Sequence, residues 1–312
     1  MANILAADLG GTNFRVAVID DGGVLLVRRS RPLPASRSAA DILAAIAELA
    51  EECVAAAGTE RPELFGLAVP AVVNVDSGGV VQAPNIPDLD GSPAARELGT
   101  RLGMRVFLEN DATAAAIGEH WKGASASFAN VVHITLGTGV GGGLIFDGRP
   151  YRGADGTAGE LGHICVEPDG VKCGCGSNGC VEQYASATAI VRVAKESGEF
   201  GDPDGITAED LYDRAVRGDA AAKRIFASAG RYLGIALGGL VNALNPDAIV
   251  VGGGVANSWH VIGPAIEREL KYRAFQRPFE RVKLLRSALG DDAGLIGAAR
   301  VAAIGSKAPT AG

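Results

Sequence analysis

The sequence predicts an α/β fold of two related domains, each on a mixed sheet, with a cleft between them. Three observations lead there. At 312 residues the chain is long for a single core. Short apolar runs of strand length alternate with longer amphipathic runs of helix length. A β-hairpin with a glycine turn occurs twice, about 128 residues apart counted from Gly11 to Gly139, and α/β segments follow each copy, the pattern of an internal duplication. A ligand would then lie between the two halves.

Residues 3–8 read as a buried strand ended by Gly10-Gly11-Thr12-Asn13, and residues 14–20 and 24–30, joined by Asp21-Gly22-Gly23, complete an antiparallel meander. An alanine-rich amphipathic helix over 39–57 follows, then strands at 64–69 and 105–108, then a helix over 112–121 with Asp111 at its start. The second copy begins with a strand at 131–136, the turn Gly137-Thr138-Gly139, a strand near 143–146 and a turn at Asp147-Gly148. Helices over 185–195, 220–244 and 262–272 come later, and a strand at 248–251 runs into Gly252-Gly253-Gly254. The domain division falls at 117/118. Residues 1–117, completed by a C-terminal helix over 292–306, form the smaller domain, and residues 118–291 the larger.

Composition narrows the function. Hydrophobic residues at 47% and charged residues at 21% are ordinary for a globular protein. The 44 glycines stand in short clusters between apolar runs, which marks places where backbone approaches a ligand closely. A net charge of −7 without a basic stripe argues against nucleic acid or an anionic membrane as partner. The N-terminal run lacks a basic region and carries Asp8, so it reads as a strand rather than a signal peptide, and the segment 235–244 is too short and too rich in Gly and Asn to span a bilayer. These features give the expectation of a cytoplasmic protein with reduced cysteines.

Phosphate binding needs several N–H donors converging on one point, and glycine lets backbone come close. Asp8-Leu9-Gly10-Gly11-Thr12-Asn13 supplies this together with a hydroxyl and a carboxylate able to hold Mg²⁺ through water. A tight hairpin turn alone explains one Gly-Gly pair but not Asp8, a charge at the end of an apolar strand. Gly137-Thr138-Gly139-Val140-Gly141-Gly142 fits the dinucleotide pattern G-x-G-x-x-G, yet a strand rather than a helix follows, so that reading fails. Gly252-Gly253-Gly254, after a buried strand, offers bare backbone against which an adenosine can lie.

Cys173-Gly174-Cys175 and Cys180 lie within eight residues, and His163 stands ten before Cys173. Three thiolates and an imidazole complete a tetrahedral Zn²⁺ shell, and a closed shell makes the metal structural. A disulfide is disfavoured by compartment, and free thiols are the plain alternative. Cys53 and Cys165 lack a partner pattern and are expected to be buried small hydrophobes. Among the acids, Asp111 in Glu109-Asn110-Asp111 has the ordinary reading of an N-cap. Glu160 and Glu182 flank the metal cluster, and such carboxylates with an amide suit a ring of hydroxyls.

With these residues in view, the chain resembles the ROK group (repressors, open reading frames and kinases) of the sugar-kinase, actin and heat-shock ATPase superfamily, over essentially its whole length. The resemblance rests on Asp8-Leu9-Gly10-Gly11-Thr12-Asn13, Asn110-Asp111, Gly137-Thr138-Gly139, Glu160-Leu161-Gly162-His163 and Cys173-Gly174-Cys175-Gly176-Ser177-Asn178-Gly179-Cys180-Val181-Glu182. Gln183-Tyr184-Ala185-Ser186 looks like the bacterial glucokinase branch. It implies a duplicated, ribonuclease H-like, actin-like fold and ATP-dependent phosphorylation of a hexose, glucose first, at its 6-hydroxyl. It implies that Asn110, Asp111, Glu160, His163 and Glu182 surround the hexose, with Asn85 from the Ala83-Pro84-Asn85 loop, and that Asp111 is the catalytic base, kept ionised by the helix N-terminus. Asp8, Gly10, Gly11, Thr12, Asn13, Gly137, Thr138 and Gly139 would hold the phosphates, and Gly252, Gly253 and Gly254 the adenosine. Mg²⁺ accompanies the nucleotide, His163 serves both zinc and sugar, and a homodimer is the family expectation.

One departure is Val69-Pro70-Ala71, where many relatives have Val-Pro-Gly; the extra methyl bears on the choice among hexoses. Mannose, fructose, N-acetylglucosamine and N-acetylmannosamine remain alternatives, as does polyphosphate as donor. A sugar-sensing regulator of this group carries a helix-turn-helix ahead of the core, for which a phosphate strand starting at residue 3 leaves no room.

Overall fold

The computed structural model describes residues 3–201 and 205–307. In chain order, β1 (Ile4–Leu9), β2 (Asn13–Ile19) and β3 (Leu25–Pro32) form the first meander, and α1 (Ala39–Ala57) returns the chain to β4 (Leu64–Val69). A small hairpin, β5 (Val72–Asn74) and β6 (Gly79–Gln82), and a helix, α2 (Ala94–Leu102), precede β7 (Arg105–Asn110) and α3 (Asp111–Lys122). The second half opens with β8 (Val131–Leu136), β9 (Val140–Phe146) and β10 (Arg149–Pro150). After a long loop come α4 (Glu182–Ala185), α5 (Ala187–Ser197), α6 (Ala208–Val216) and α7 (Ala220–Leu244). The chain closes with β11 (Ala248–Gly252), α8 (Trp259–Arg273), α9 (Gln276–Arg281), β12 (Lys283–Arg286) and α10 (Ala293–Gly305).

The two large sheets have one topology. The first runs β3-β2-β1-β4-β7 and the second β10-β9-β8-β11-β12. In each, three antiparallel strands are followed by two that lie parallel to the first strand of the hairpin. The duplication expected from the paired glycine hairpins is therefore present in strand order and direction. The inner parallel strands β4 and β11 are continuous apolar runs because helices cover both faces. The α1 face, with Ile42, Ile46 and Cys53, packs with Phe14 and Phe65 on one side of the first sheet. Phe226, Leu233 and Leu237 of α7 pack with Ile249 and Val251 on one side of the second.

The opposite faces are covered by exchange. Helix α3 leaves the first sheet and packs on β8 and β9, whereas α10 leaves the second and packs on β1 and β4. The two helices cross at Gly118 and Gly297, where a Cβ on Gly297 would stand 1.7 Å from the Ala114 carbonyl oxygen. Glycine is needed there for close approach of backbone to backbone. The expected boundary at 117/118 falls inside α3, which touches both sheets.

Several elements differ from expectation. Helix α8 starts at Trp259 rather than 262, β7 extends to Asn110, and β9 starts at Val140 because the glycine turn is tight enough for Val140 to pair with Leu136. Cys53 is buried as expected, but Cys165 is exposed. Cys165 stands opposite Cys180 in an isolated bridge within the irregular loop, where no layer covers it. None of the five cysteines is joined in a disulfide. No helix among the described residues is long and apolar enough to cross a membrane.

Candidate active site

The strand–helix junction of β7 and α3 centres the site. Asn110, not Asp111, is the N-cap: its Oδ1 accepts from the Thr113 N–H at 3.0 Å. Its Nδ2 donates to the Ala71 carbonyl at 3.3 Å and to Asp111 Oδ1 at 3.2 Å. Asp111 is the first helical residue, and its Oδ1 also accepts from the Ala112 N–H at 2.8 Å. The N-cap reading of Asp111 is thereby corrected. The helix terminus does not hold its proton affinity at the ordinary carboxylate value. Burial, then the charge of Asp8, and less strongly that of Glu160, push its pKa up to about 7 against the opposing hydrogen bond from Ala112. Asp111 thus lies within electrostatic reach of two further carboxylates, Asp8 at the end of β1 and Glu160 on the loop after β10.

Asp8 reaches this point from the end of β1. Antiparallel register sets Arg15 directly opposite it, with Nη1 to Oδ2 at 3.3 Å. Burial raises the Asp8 pKa and Arg15 opposes that rise. Arg15 also donates to the Asp291 carbonyl at 3.3 Å, ahead of α10. Arg15 belongs to no motif of its own; counting register back from the turn pairs it with Asp8. The turn itself is closed by Gly10 N–H to Asn13 O at 2.9 Å, and Thr12 O accepts from Leu33 N–H at 2.8 Å. Gly11 O accepts from Arg37, a residue whose φ of 53° is left-handed. The same guanidinium nitrogen donates to the Asn85 carbonyl at 3.3 Å, which joins the Asn85 loop to the first glycine turn.

The second turn, Gly137 to Gly139, is braced from three sides. Gly137 N–H donates to Gly139 O at 2.9 Å, Ala187 N–H to Gly137 O at 2.8 Å, and Thr188 Oγ1 to Thr138 O at 2.8 Å. Glu182 Oε2 accepts from Val140 N–H at 3.1 Å, and a Cβ on Gly139 would lie 2.4 Å from that same oxygen. Glu182 therefore couples the knuckle to the glycine turn, a link that spacing alone did not suggest. Gly253, with φ 82°, lies against the Leu136 backbone, which brings 252–254 beside the second turn.

In the knuckle, the ligand atoms of His163, Cys173, Cys175 and Cys180 all lie within 4.8 Å of one another. Three sulfurs and one imidazole nitrogen at this spacing match the donor set of a closed zinc site. His163 Nδ1 lies 3.6 Å from Cys173 Sγ, while Nε2 lies 3.9 Å from Glu160 Oε2. One ring nitrogen thus faces the thiols and the other the acid, the arrangement a shared metal and sugar neighbour requires. Asn85 is exposed and is tied to the set through its carbonyl. The Ala71 methyl is buried in the first-sheet core at 4% exposure, while the Ala71 carbonyl steadies Asn110.

The model of the ROK family matches residues 4–304. The chain belongs to the ROK family. It is similar to a glucokinase of Thermotoga maritima, with 36% identity over 96% of each chain. Among solved structures it is similar to a ROK hexokinase of Thermus thermophilus, 37% identical with a TM-score of 0.82, covering 98% of this chain and 99% of that one. It is also similar to a ROK glucokinase of Streptomyces griseus, solved with glucose and AMPPNP, at 35% identity and a TM-score of 0.83, covering 97% of this chain and 100% of that one. The paired sheets of this ROK protein are those of the actin-like sugar-kinase fold.

Proposed function

We propose that this chain is an ATP:hexose 6-phosphotransferase whose preferred hexose is glucose. The observation that carries the reading is Asp111, oriented by Asn110 at the β7–α3 junction, with Asp8 in register across β4 with the end of β7 and Glu160 within its electrostatic reach. Family membership and the glucokinases it resembles support it. Asn110, Glu160, His163 and Glu182, with Asn85, would engage the sugar hydroxyls, and residues 10–13 and 137–139 the phosphates. Residues 252–254 would seat the adenosine.

Phosphoryl transfer depends mainly on positioning and charge neutralisation. As the 6-hydroxyl oxygen bonds to the γ-phosphorus and the bond to ADP breaks, Asp111 takes the hydroxyl proton. A carboxylate with a pKa near neutrality is a better acceptor than an ordinary one and is still largely ionised above pH 7. Mg²⁺, brought with the nucleotide near Asp8, would neutralise phosphate charge. Zn²⁺, held by His163, Cys173, Cys175 and Cys180, would fix the sugar-side loop. The domain division given above, a homodimer and a cytoplasmic setting belong to the same reading.

A coupled assay of ADP release across a panel of hexoses tests it. Glucose is expected to give the highest kcat/KM. Preference for mannose, fructose or an N-acetylated sugar would change the substrate, and activity with none would overturn the reading.

A further inference from the structure

Glu109 is an acidic residue, yet its side chain is 2% exposed, and it immediately precedes Asn110 at the end of β7. Its Oε2 receives both Nε, at 2.9 Å, and Nη2 of Arg152. Its Oε1 accepts from the Asn110 N–H at 3.2 Å. Arg152 lies in the other half of the molecule, just after β10, on the loop that leads to Glu160 and His163. The loop closes on itself there, since the Arg152 carbonyl accepts from Ala158 N–H at 3.1 Å. The bend at Gly156 abuts the first half again, where a Cβ would stand 3.0 Å from the Val73 carbonyl oxygen.

We infer that the Glu109–Arg152 ion pair is a positioning device that holds the Glu160–His163 loop in register with Asp111 from one half of the molecule to the other. The inference rests on the hexose-kinase reading for its kinetic consequence. A buried ion pair is weak evidence for stability, because an apolar pair of similar volume often serves as well. What two donors on one carboxylate oxygen supply is direction. Here the direction runs from Arg152 through one carboxylate to the Asn110 backbone, and thence to the cap that orients Asp111. The loop carrying the sugar-side groups and the helix carrying the base are thereby set from one point. Misplacement of about 1 Å at such a site reduces rate on the order of 10²-fold.

The test compares wild type, Arg152→Ala, Arg152→Lys and Glu109→Gln by steady-state kinetics and by hydrogen–deuterium exchange without ligand. For Arg152→Ala, kcat/KM for the hexose should fall by about 10- to 100-fold, while KM for ATP stays within about twofold of wild type. Arg152→Lys keeps the charge on a single nitrogen, without the planar pair of donors, and should recover part of the loss; Glu109→Gln should fall between. Exchange should quicken in segments 105–116 and 151–163 of Arg152→Ala and stay unchanged in 4–32 and 248–286. Unchanged exchange in both target segments would overturn the tether, whatever reaction the protein catalyses. Equal rises in both KM values, or exchange quickened throughout, would show a general loss of structure and overturn positioning. An inactive wild type with quickened local exchange would sink the kinase reading and leave the tether standing.

Discussion

Asn110 caps the helix that Asp111 opens, with Oδ1 on the Thr113 N–H at 3.0 Å and Nδ2 3.2 Å from Asp111 Oδ1. The neutral side chain thus meets the helix end, and the neighbouring acid is oriented without serving as the cap. Burial does the rest by raising the acid's proton affinity.

Replacing Asp111 by Asn should keep the fold and the sugar contacts but remove the proton acceptor. Turnover should drop by about 10²-fold or more, with hexose affinity by calorimetry within a few-fold of wild type. Near-normal turnover would take Asp111 out of its role.

The ionised form of Asp111 is the active one, and its pKa is pushed up to about 7 in the free protein. The profile of kcat/KM for the hexose should therefore rise with pH through about 7 and level off above it. Glu160 also raises this pKa, so Glu160→Gln should move the midpoint to lower pH. A flat profile between pH 5.5 and 8 would contradict the assignment.

The same shift has a stability consequence. The folded pKa of Asp111 lies above its unfolded value of 3.8, so the folded state binds the proton more tightly and loses stability as pH rises between the two values. Asp111→Asn, inactive as it should be, is expected to melt higher than wild type at pH 8. That advantage should shrink as pH falls from 7 and vanish below about 4, because both states of the wild type are then protonated. Melting curves at the two ends of this range decide it.

The parts of this site that were legible in the sequence are local. The glycine turns, the clustered thiols and the Asn110-Asp111 step each lie within a few residues, and the hairpin repeat fixed the two-sheet plan. Arg15 escaped because its link to Asp8 exists only once antiparallel register is known. The Glu182 contact with Val140 and the Glu109–Arg152 pair join residues about forty apart in sequence, beyond any periodic signal. The proton affinity of Asp111 stands above the ordinary carboxylate value because desolvation is a tertiary quantity. Helices α2 and α6 went unnoticed because each buries only two or three apolar side chains, too few to make a periodic stripe.

Removing the zinc proposed for the knuckle should act on the sugar side first. Without that metal, the contact with Cys173 Sγ at 3.6 Å would be left to hold the Nδ1 side of His163, and the ring could turn its Nε2 away from Glu160. Dialysis against a chelator should lower the melting temperature and raise KM for hexose more than KM for ATP, with metal analysis tracking both changes. Cys180→Ser should reproduce the effect. An equal rise in both KM values would place the metal's influence elsewhere.

Gly253 tests the nucleotide side. Its φ of 82° and ψ of 173° lie in a region essentially reserved for glycine, and an added Cβ would stand 2.4 Å from the Leu136 carbonyl oxygen. Leu136 leads directly into the Gly137 turn, so alanine at 253 must push the exit of β11 away from that turn. Gly253→Ala should lose about 1–3 kcal/mol of stability and raise KM for ATP well above its effect on hexose. Gly254 is the control, since a Cβ there meets nothing within 4 Å and its φ is not left-handed. Gly254→Ala should therefore fold as wild type, and any change it makes in KM for ATP would report contact with the nucleotide rather than strain. If Gly253→Ala leaves KM for ATP unchanged despite its strain, the adenosine is seated elsewhere.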